Sequence, residues 1–200
     1  SKSKKPLIVV GGGVKYSEAG EAVEAFCKEF NIPFGETQAG KSACKSSDPY
    51  CLGGIGVTGT LAANRIAKEA DTVLAIGSRL SDFTTGSKWL FREEGVQVLT
   101  INNNRYHAYK MDAIKAVGDA KATLEELAKA LREKNYRSAY KGEIESCKAE
   151  WDKEYKRLAE YAYKEEGFEP LIEERDPRTI PEFVEKTQGY LTQTAAIAAL

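Results

Sequence analysis

Histidine is almost missing from this chain: His107 is the only one in 200 residues. That excludes metal sites built from several imidazoles and leaves little basis for a histidine relay, so His107 is expected to be a loop residue without a chemical role. Cysteine is also scarce. Cys27, Cys44, Cys51 and Cys147 form no C-x-x-C pair and match no zinc spacing. Reduced thiols in a cytoplasmic protein are the expectation. No apolar run reaches the roughly 18 residues of a membrane-spanning helix, so no membrane partner is expected. Charge of one sign is not in excess either: 29 Lys and Arg stand against 30 Asp and Glu. Nucleic-acid binding commonly needs a basic excess, so no nucleic-acid partner is expected. The opening residues SKSKK lack the apolar core of a signal peptide and read as a linker into a strand.

What is present is apolar sequence in short blocks. Pro6 to Val10 (PLIVV) ends at three glycines, as a strand buried on both faces does. Ala19, Val23, Phe26 and Phe30 recur at helical spacing and predict a helix over 18–30, with Ser17 as its N-cap. Further strands are predicted at Ile32 to Phe34, Thr72 to Ile76, Val96 to Ile101 and Lys115 to Val117, the last a short one. Helices are predicted at Leu61 to Ala70 and Ala120 to Arg132. The alternation implies an α/β fold, a parallel sheet with helices on both faces. Residues 1–137 are read as this domain. Residues 138–168 are read as a charged helical extension, because Tyr140 to Glu166 is dense in Lys and Glu. Residues 169–200 are read as a linker and the truncated start of a further domain. There, Gly167 to Pro181 is a connector and Thr194 to Leu200 begins an apolar helix that stops in mid-pattern.

Two motifs match on paper. Gly35 to Ser42 (GETQAGKS) fits G-x-x-x-x-G-K-[ST], but a phosphate cradle needs a helix directly afterwards, and ACKSSDPYCLGG has no helical period. A Walker role for Lys41, and a stand-alone nucleotide-binding module with it, are therefore disfavoured. Gly54 to Gly59 (GIGVTG) fits G-x-G-x-x-G, but the residues before it, DPYCLG, read as a loop and not as the required strand. A tight loop leading into a helix outweighs a ligand loop here.

Ligands of open parallel sheets bind beyond the carboxyl ends of the strands. Those ends carry Gly12 and Gly13, then Thr37, Gln38, Ala39 and Gly40, then Gly77, Ser78 and Arg79, then Asn102 and Asn103. With Lys41, Arg79 and Arg105 they would suit an anion. The plainer alternative is surface loops, with Arg79 paired to Asp82 or Asp71. No nucleophile and base pair is recognisable, so no catalytic residue and no metal ligand is assigned.

Several stretches together resemble a known family. They include KPLIVVGGGVKYSEA, IPFGETQAGKSA, LGGIGVTGTLAANRIAKEADTVLAIGSRLSDFTTGSKWLF, LTINNNRYHAYKMDAIKAVGDA and GYLTQTAAI. The chain is similar to the thiamine-diphosphate-dependent trihydroxycyclohexane-1,2-dione hydrolases of myo-inositol catabolism, within the acetolactate synthase superfamily. TQAGKS and SDFTTGSK carry the specific part. The resemblance implies a central domain with a six-stranded, Rossmann-like parallel sheet. It implies that thiamine diphosphate and magnesium are held by N-terminal and C-terminal domains of the same enzyme, which is a homo-oligomer. The whole enzyme would open the cyclic dione to 5-deoxyglucuronate, and this portion alone would be inactive. A 2-keto-acid decarboxylase or carboligase of the same superfamily is the alternative. In acetolactate synthase, loops matching the strand ends named above bind FAD. Asn102, Asn103 and Asn104 stand where those enzymes are acidic, which counts against FAD here.

Overall fold

The structure, a computed structural model, describes residues 2–91, 95–163 and 176–200. In chain order the elements are β1 (Pro6–Val10), α1 (Gly12–Tyr16), α2 (Gly20–Phe30), β2 (Phe34–Glu36), β3 (Cys51–Gly54), α3 (Leu61–Glu69), β4 (Thr72–Ile76), α4 (Asp82–Thr85), β5 (Gln97–Asn102), α5 (Arg105–Ala108), β6 (Ile114–Val117), α6 (Ala120–Glu133), α7 (Glu143–Ala159), α8 (Thr179–Thr187) and α9 (Gln193–Ala198). The chain divides into two compact units, Ser1–Trp151 and Asp152–Leu200.

The first unit holds one sheet in the order β3-β2-β1-β4-β5-β6. Every pairing is parallel. β1 and β4, in the middle, show why the sequence blocks are apolar throughout. Successive side chains of a strand point to opposite faces, and here both faces are covered. Leu7, Val9, Val73 and Ala75 pack with Ala63, Ile66, Ile144 and Cys147, from α3 and α7. Ile8, Val10, Leu74 and Ile76 pack with Val23, Phe26, Phe30 and Leu124, from α2 and α6. The six-stranded parallel sheet between helices is the architecture that the sequence implied. After α6 the chain returns to the amino ends of the strands. Ala139 N–H donates to Lys4 O at 2.8 Å, and Asn31 Nδ2 donates to Tyr140 O at 2.9 Å.

Several elements differ from expectation. Glu18 has φ of +49°, so no helix can run through it. The second helix starts at Gly20 with Ala19 in the N-cap place, and Ser17 instead ends α1, which takes in Gly12 and Gly13. The second strand is shifted to Phe34–Glu36, because Asn31 is left-handed at φ 58° and Ile32 N–H still caps α2 on Cys27 O. The sixth strand, β3, lies where a loop was expected. The long charged helix is shorter than 140–166: it runs over Glu143–Ala159, and 164–166 lie outside the described residues. Of the 167–181 connector, 167–175 also lie outside them, and its end is helical. Pro181 sits in the first turn of α8, where a missing N–H costs nothing.

The second unit holds α8 and α9. Thr192 caps α9 by accepting from Ala195 N–H at 3.1 Å. The Tyr163 ring meets Phe183 edge-on at 5.3 Å. None of the described residues after Cys147 is buried.

Candidate functional site

The strand ends converge where β1 and β4 lie side by side, the point at which the chain switches direction across the sheet. The backbones cross there at very close range. Gly77 (φ +59°) and Gly13 leave no room for side chains: a Cβ on Gly77 would lie 2.5 Å from Gly13 Cα. The crossing is stitched by Gly11 N–H to Ile76 O (2.8 Å), Gly13 N–H to Gly77 O (3.1 Å) and Gly77 N–H to Ile101 O (2.8 Å). Three backbone N–H groups at these strand ends, those of Gly11, Gly13 and Gly77, are therefore already used.

Two cavities open on this crossing and share Gly13, Tyr16, Gly77 and Arg79. One, of about 700 Å³, is lined by Gly12, Thr37, Gln38, Ala39, Ser78 and Phe83 among others. The other, of about 450 Å³, is lined by Asn102, Asn103, Asn104, His107, Gly118 and Asp119 among others. Of the strand-end residues read from the sequence, only Gly40 lines neither. It is a packing residue: a Cβ there would meet Val10 O at 2.1 Å. Thr37 Oγ1 accepts from Gly40 N–H at 3.1 Å and closes that turn.

The three anticipated cations separate. Lys41 points its ammonium at Glu36, 3.2 Å from Oε2. Arg105 borders a different surface hollow with Tyr106, Tyr109 and Lys110. Arg79 alone reaches the cleft. It pairs with neither Asp82 nor Asp71 among the described residues. Asp71 lies at the opposite ends of the strands, where it accepts from Ser3 Oγ (2.6 Å) and from the Lys4 (2.6 Å) and Lys5 (3.1 Å) N–H groups. Asn102 donates to Ser78 O at 3.0 Å and accepts from Asn104 N–H at 2.9 Å, which steadies the cleft wall with a neutral amide.

Sequence reasoning missed Tyr16, Asp119 and His107. His107 is on α5, not in a loop, and borders the smaller cavity. Burial first, then Lys110 and Arg79, push its pKa below the ordinary value. Its Nδ1 is buried without a partner. Asp119 caps α6 by accepting from Ala122 N–H at 3.0 Å. That hydrogen bond, and one from Ser17, hold its carboxyl below the usual range. The available signal for it was the G-D-A at Gly118 to Ala120, which ends the stretch LTINNNRYHAYKMDAIKAVGDA.

The two motifs resolve differently. After Gly40, residues 41–50 contain no helix, so GETQAGKS builds no cradle. The GIGVTG loop does follow a strand, contrary to expectation, since β3 ends at Gly54. It is nonetheless closed on itself. Asn64 Oδ1 accepts from Gly56 N–H (3.0 Å) and Asn64 Nδ2 donates to Gly56 O (2.9 Å), while Thr60 N–H reaches Gly54 O (2.8 Å). Its glycines serve a tight turn at the sheet edge.

The four cysteines are free and buried. Burial, with Glu24 and Glu36 nearby, pushes Cys44 up to about 12, so it is a poor nucleophile at neutral pH. Among the described residues, no group of three or more His, Cys, Asp or Glu is placed to hold a metal ion. No helix among the described residues is long and apolar enough to cross a membrane. The arrangement can bind: it offers one free guanidinium, amides and hydroxyls over a glycine crossing.

Comparison with known proteins adds a lineage. A family model described as "Thiamine pyrophosphate enzyme, central domain" matches residues 1–127. The chain is 54% identical over 197 residues to a protein of Clostridium botulinum (strain Alaska E43) named 3D-(3,5/4)-trihydroxycyclohexane-1,2-dione hydrolase, covering 98% of this chain and 30% of that protein. A Clostridium perfringens protein of the same name is 54% identical over 197 residues, with 31% of it covered. One from Bacillus thuringiensis is 49% identical over 199 residues, again with 31% covered. The chain thus spans about 30% of the length of the curated relatives it matches.

Proposed function

This chain belongs to the thiamine pyrophosphate enzyme central-domain family, and from that premise we propose that it is the middle part of a hydrolase that opens the ring of 3D-(3,5/4)-trihydroxycyclohexane-1,2-dione to 5-deoxyglucuronate. The observation that carries this reading is the 54% identity to hydrolases of that name, which runs past the family match to nearly the whole chain. Thiamine diphosphate supplies the carbanion and electron-sink chemistry that breaking a carbon–carbon bond requires. In this reading it is held with magnesium by domains outside these residues. Residues 1–137 form the central domain, 138–168 a helical extension, and 169–200 a linker and the first part of the cofactor-binding domain. The whole enzyme is a cytoplasmic homo-oligomer.

The part played by this chain is to bind and to position. Gly12, Gly13, Thr37, Gln38, Ala39, Gly77, Ser78, Arg79, Asn102 and Asn103 form a ligand cleft, with Arg79 meeting an anionic group. Asn102, Asn103 and Asn104 stand where the FAD-binding acetolactate synthases are acidic, which argues against FAD as the occupant. The test is turnover by the full-length protein with thiamine diphosphate, magnesium and the cyclic dione. Ring opening that depends on the cofactor is the expected result. Turnover of 2-keto acids with no action on the dione would assign the chain to a decarboxylase or carboligase instead.

A further inference from the structure

The smaller strand-end cavity, about 450 Å³, is evenly balanced in charge. Among the described residues, Arg79 is the one cation that lines it and Asp119 the one carboxylate. Their places follow from the sheet. β5 lies between β4 and β6. Arg79 follows β4, Asp119 follows β6, and Asn103 and Asn104 follow β5 between them. Adjacent strands are about 4.8 Å apart, so the strands that carry the two charges are separated by roughly 10 Å. His107 adds no charge at neutral pH, because burial, Lys110 and Arg79 hold its pKa below the usual value. Tyr16 brings a phenol hydroxyl to the rim. Phosphates are commonly held by unused backbone N–H groups, but Gly13 N–H already donates to Gly77 O and Gly118 N–H to Asn102 O. A diphosphate would also meet Asp119, which the hydrogen bonds from Ala122 and Ser17 keep ionised.

We propose that this cavity binds a polyhydroxylated monocarboxylate, a sugar acid, with its carboxylate on Arg79 and its hydroxyls on Asn103, Tyr16 and Asp119. The inference rests on the reading of the strand-end cleft as a ligand site. A guanidinium meets a carboxylate through two parallel hydrogen bonds. A hydroxyl both donates and accepts. Ionised Asp119 takes only its donor side, while the Asn103 amide and the Tyr16 phenol take either. Length agrees. Carbon–carbon bonds of about 1.5 Å give a six-carbon chain a span of roughly 6 Å, and a hydrogen bond of about 2.8 Å at an end brings its reach close to the strand separation. Charge agrees as well, because a single guanidinium matches a single carboxylate. The product of the proposed reaction, 5-deoxyglucuronate, is a hydroxylated monocarboxylate, whereas the cyclic dione carries no carboxylate. The cavity therefore favours the product over the substrate.

The test is calorimetric titration of the full-length protein with D-glucuronate as the probe, beside acetate, myo-inositol and ADP. The expected result is saturable glucuronate binding with a Kd of about 1 mM or tighter, and affinities for acetate and for myo-inositol at least tenfold weaker. Arg79→Gln should weaken glucuronate binding at least tenfold and Asn103→Ala at least threefold. Arg105→Gln, on the neighbouring hollow, should leave it unchanged. Acetate binding as tightly would reduce the site to a bare charge, and myo-inositol binding as tightly would remove the carboxylate; either overturns the proposal. So does ADP binding more tightly than glucuronate in an Arg79-dependent way, or glucuronate binding that Arg79→Gln leaves intact. Turnover of the cyclic dione, measured alongside, tests the functional reading separately. Arg79-dependent glucuronate binding without turnover keeps the site and removes the hydrolase reading. Turnover without such binding does the reverse.

Discussion

Lys41 ends its loop with its ammonium 3.2 Å from the buried Glu36 carboxylate, and not over a phosphate cradle. ATP with magnesium should therefore show no binding tighter than about millimolar by calorimetry, near -4 kcal/mol. Micromolar binding that Lys41→Ala abolishes would restore the nucleotide reading. The same substitution should lower stability by about 1–3 kcal/mol, because Glu36 loses its partner while its Oε1 already has none; a denaturant titration checks this. Asp71 gives a pH-dependent case. Burial alone would raise its carboxyl, but hydrogen bonds from Ser3, Lys4, Lys5 and Thr72 outweigh it and hold the pKa below 3.8. A depressed carboxyl stabilises the fold above its unfolded value, and that contribution is lost as pH falls through the folded value. Asp71→Asn should thus lower the thermal midpoint at pH 7, and the two proteins should converge as pH falls through the folded value of Asp71. A gap that stays constant with pH would refute the role of the ionised carboxylate. Of the cleft, the glycines and Arg79 were legible because strand ends can be read from apolar runs. His107 and Asp119 were not: His107 lies within α5, a four-residue helix too short to show a period, and Asp119 follows β6, a strand of four residues.

At the scale of elements, the glycine crossing between β1 and β4 is the least tolerant feature. Gly77→Ala adds a Cβ 2.5 Å from Gly13 Cα at a left-handed position and should cost about 3 kcal/mol from overpacking and backbone strain together. A loss under about 1 kcal/mol in urea unfolding would show that the crossing can open freely. Thr60→Ala removes the N-cap of α3, which accepts from Ala63 N–H at 3.0 Å and donates to Leu52 O at 2.6 Å. The expected cost is about 1 kcal/mol, read in the same experiment. The central strands and α6 were readable because burial on two faces or one leaves a plain pattern. β3 was not. CLGG has two glycines in four residues and lies at the sheet edge, where pairing to β2 and not side-chain burial defines the strand. The start of α2 was obscured by Glu18, whose left-handed backbone no residue-type preference announces.

At the scale of the molecule, the buried core ends at Cys147, within the first unit. Truncation after Ala159 should therefore move the thermal midpoint of the sheet unit by no more than about 2 °C. Cooperative loss of the fold would show that the later residues belong to it. The sheet order also has a consequence in time. β1 is made first, yet it lies in the middle, with β2 on one side and β4 on the other. Its amino end is sealed only when residues around Ala139 and Tyr140 arrive, and Asn31 and Tyr140 are 109 positions apart. Contacts of such long range make folding slow and leave apolar strands uncovered meanwhile. During synthesis, the first strand of this unit waits half-paired from about residue 36 until β4 is made at 72–76, and its amino end stays open until about residue 139, so a pause in translation between these points would leave apolar strand surface uncovered.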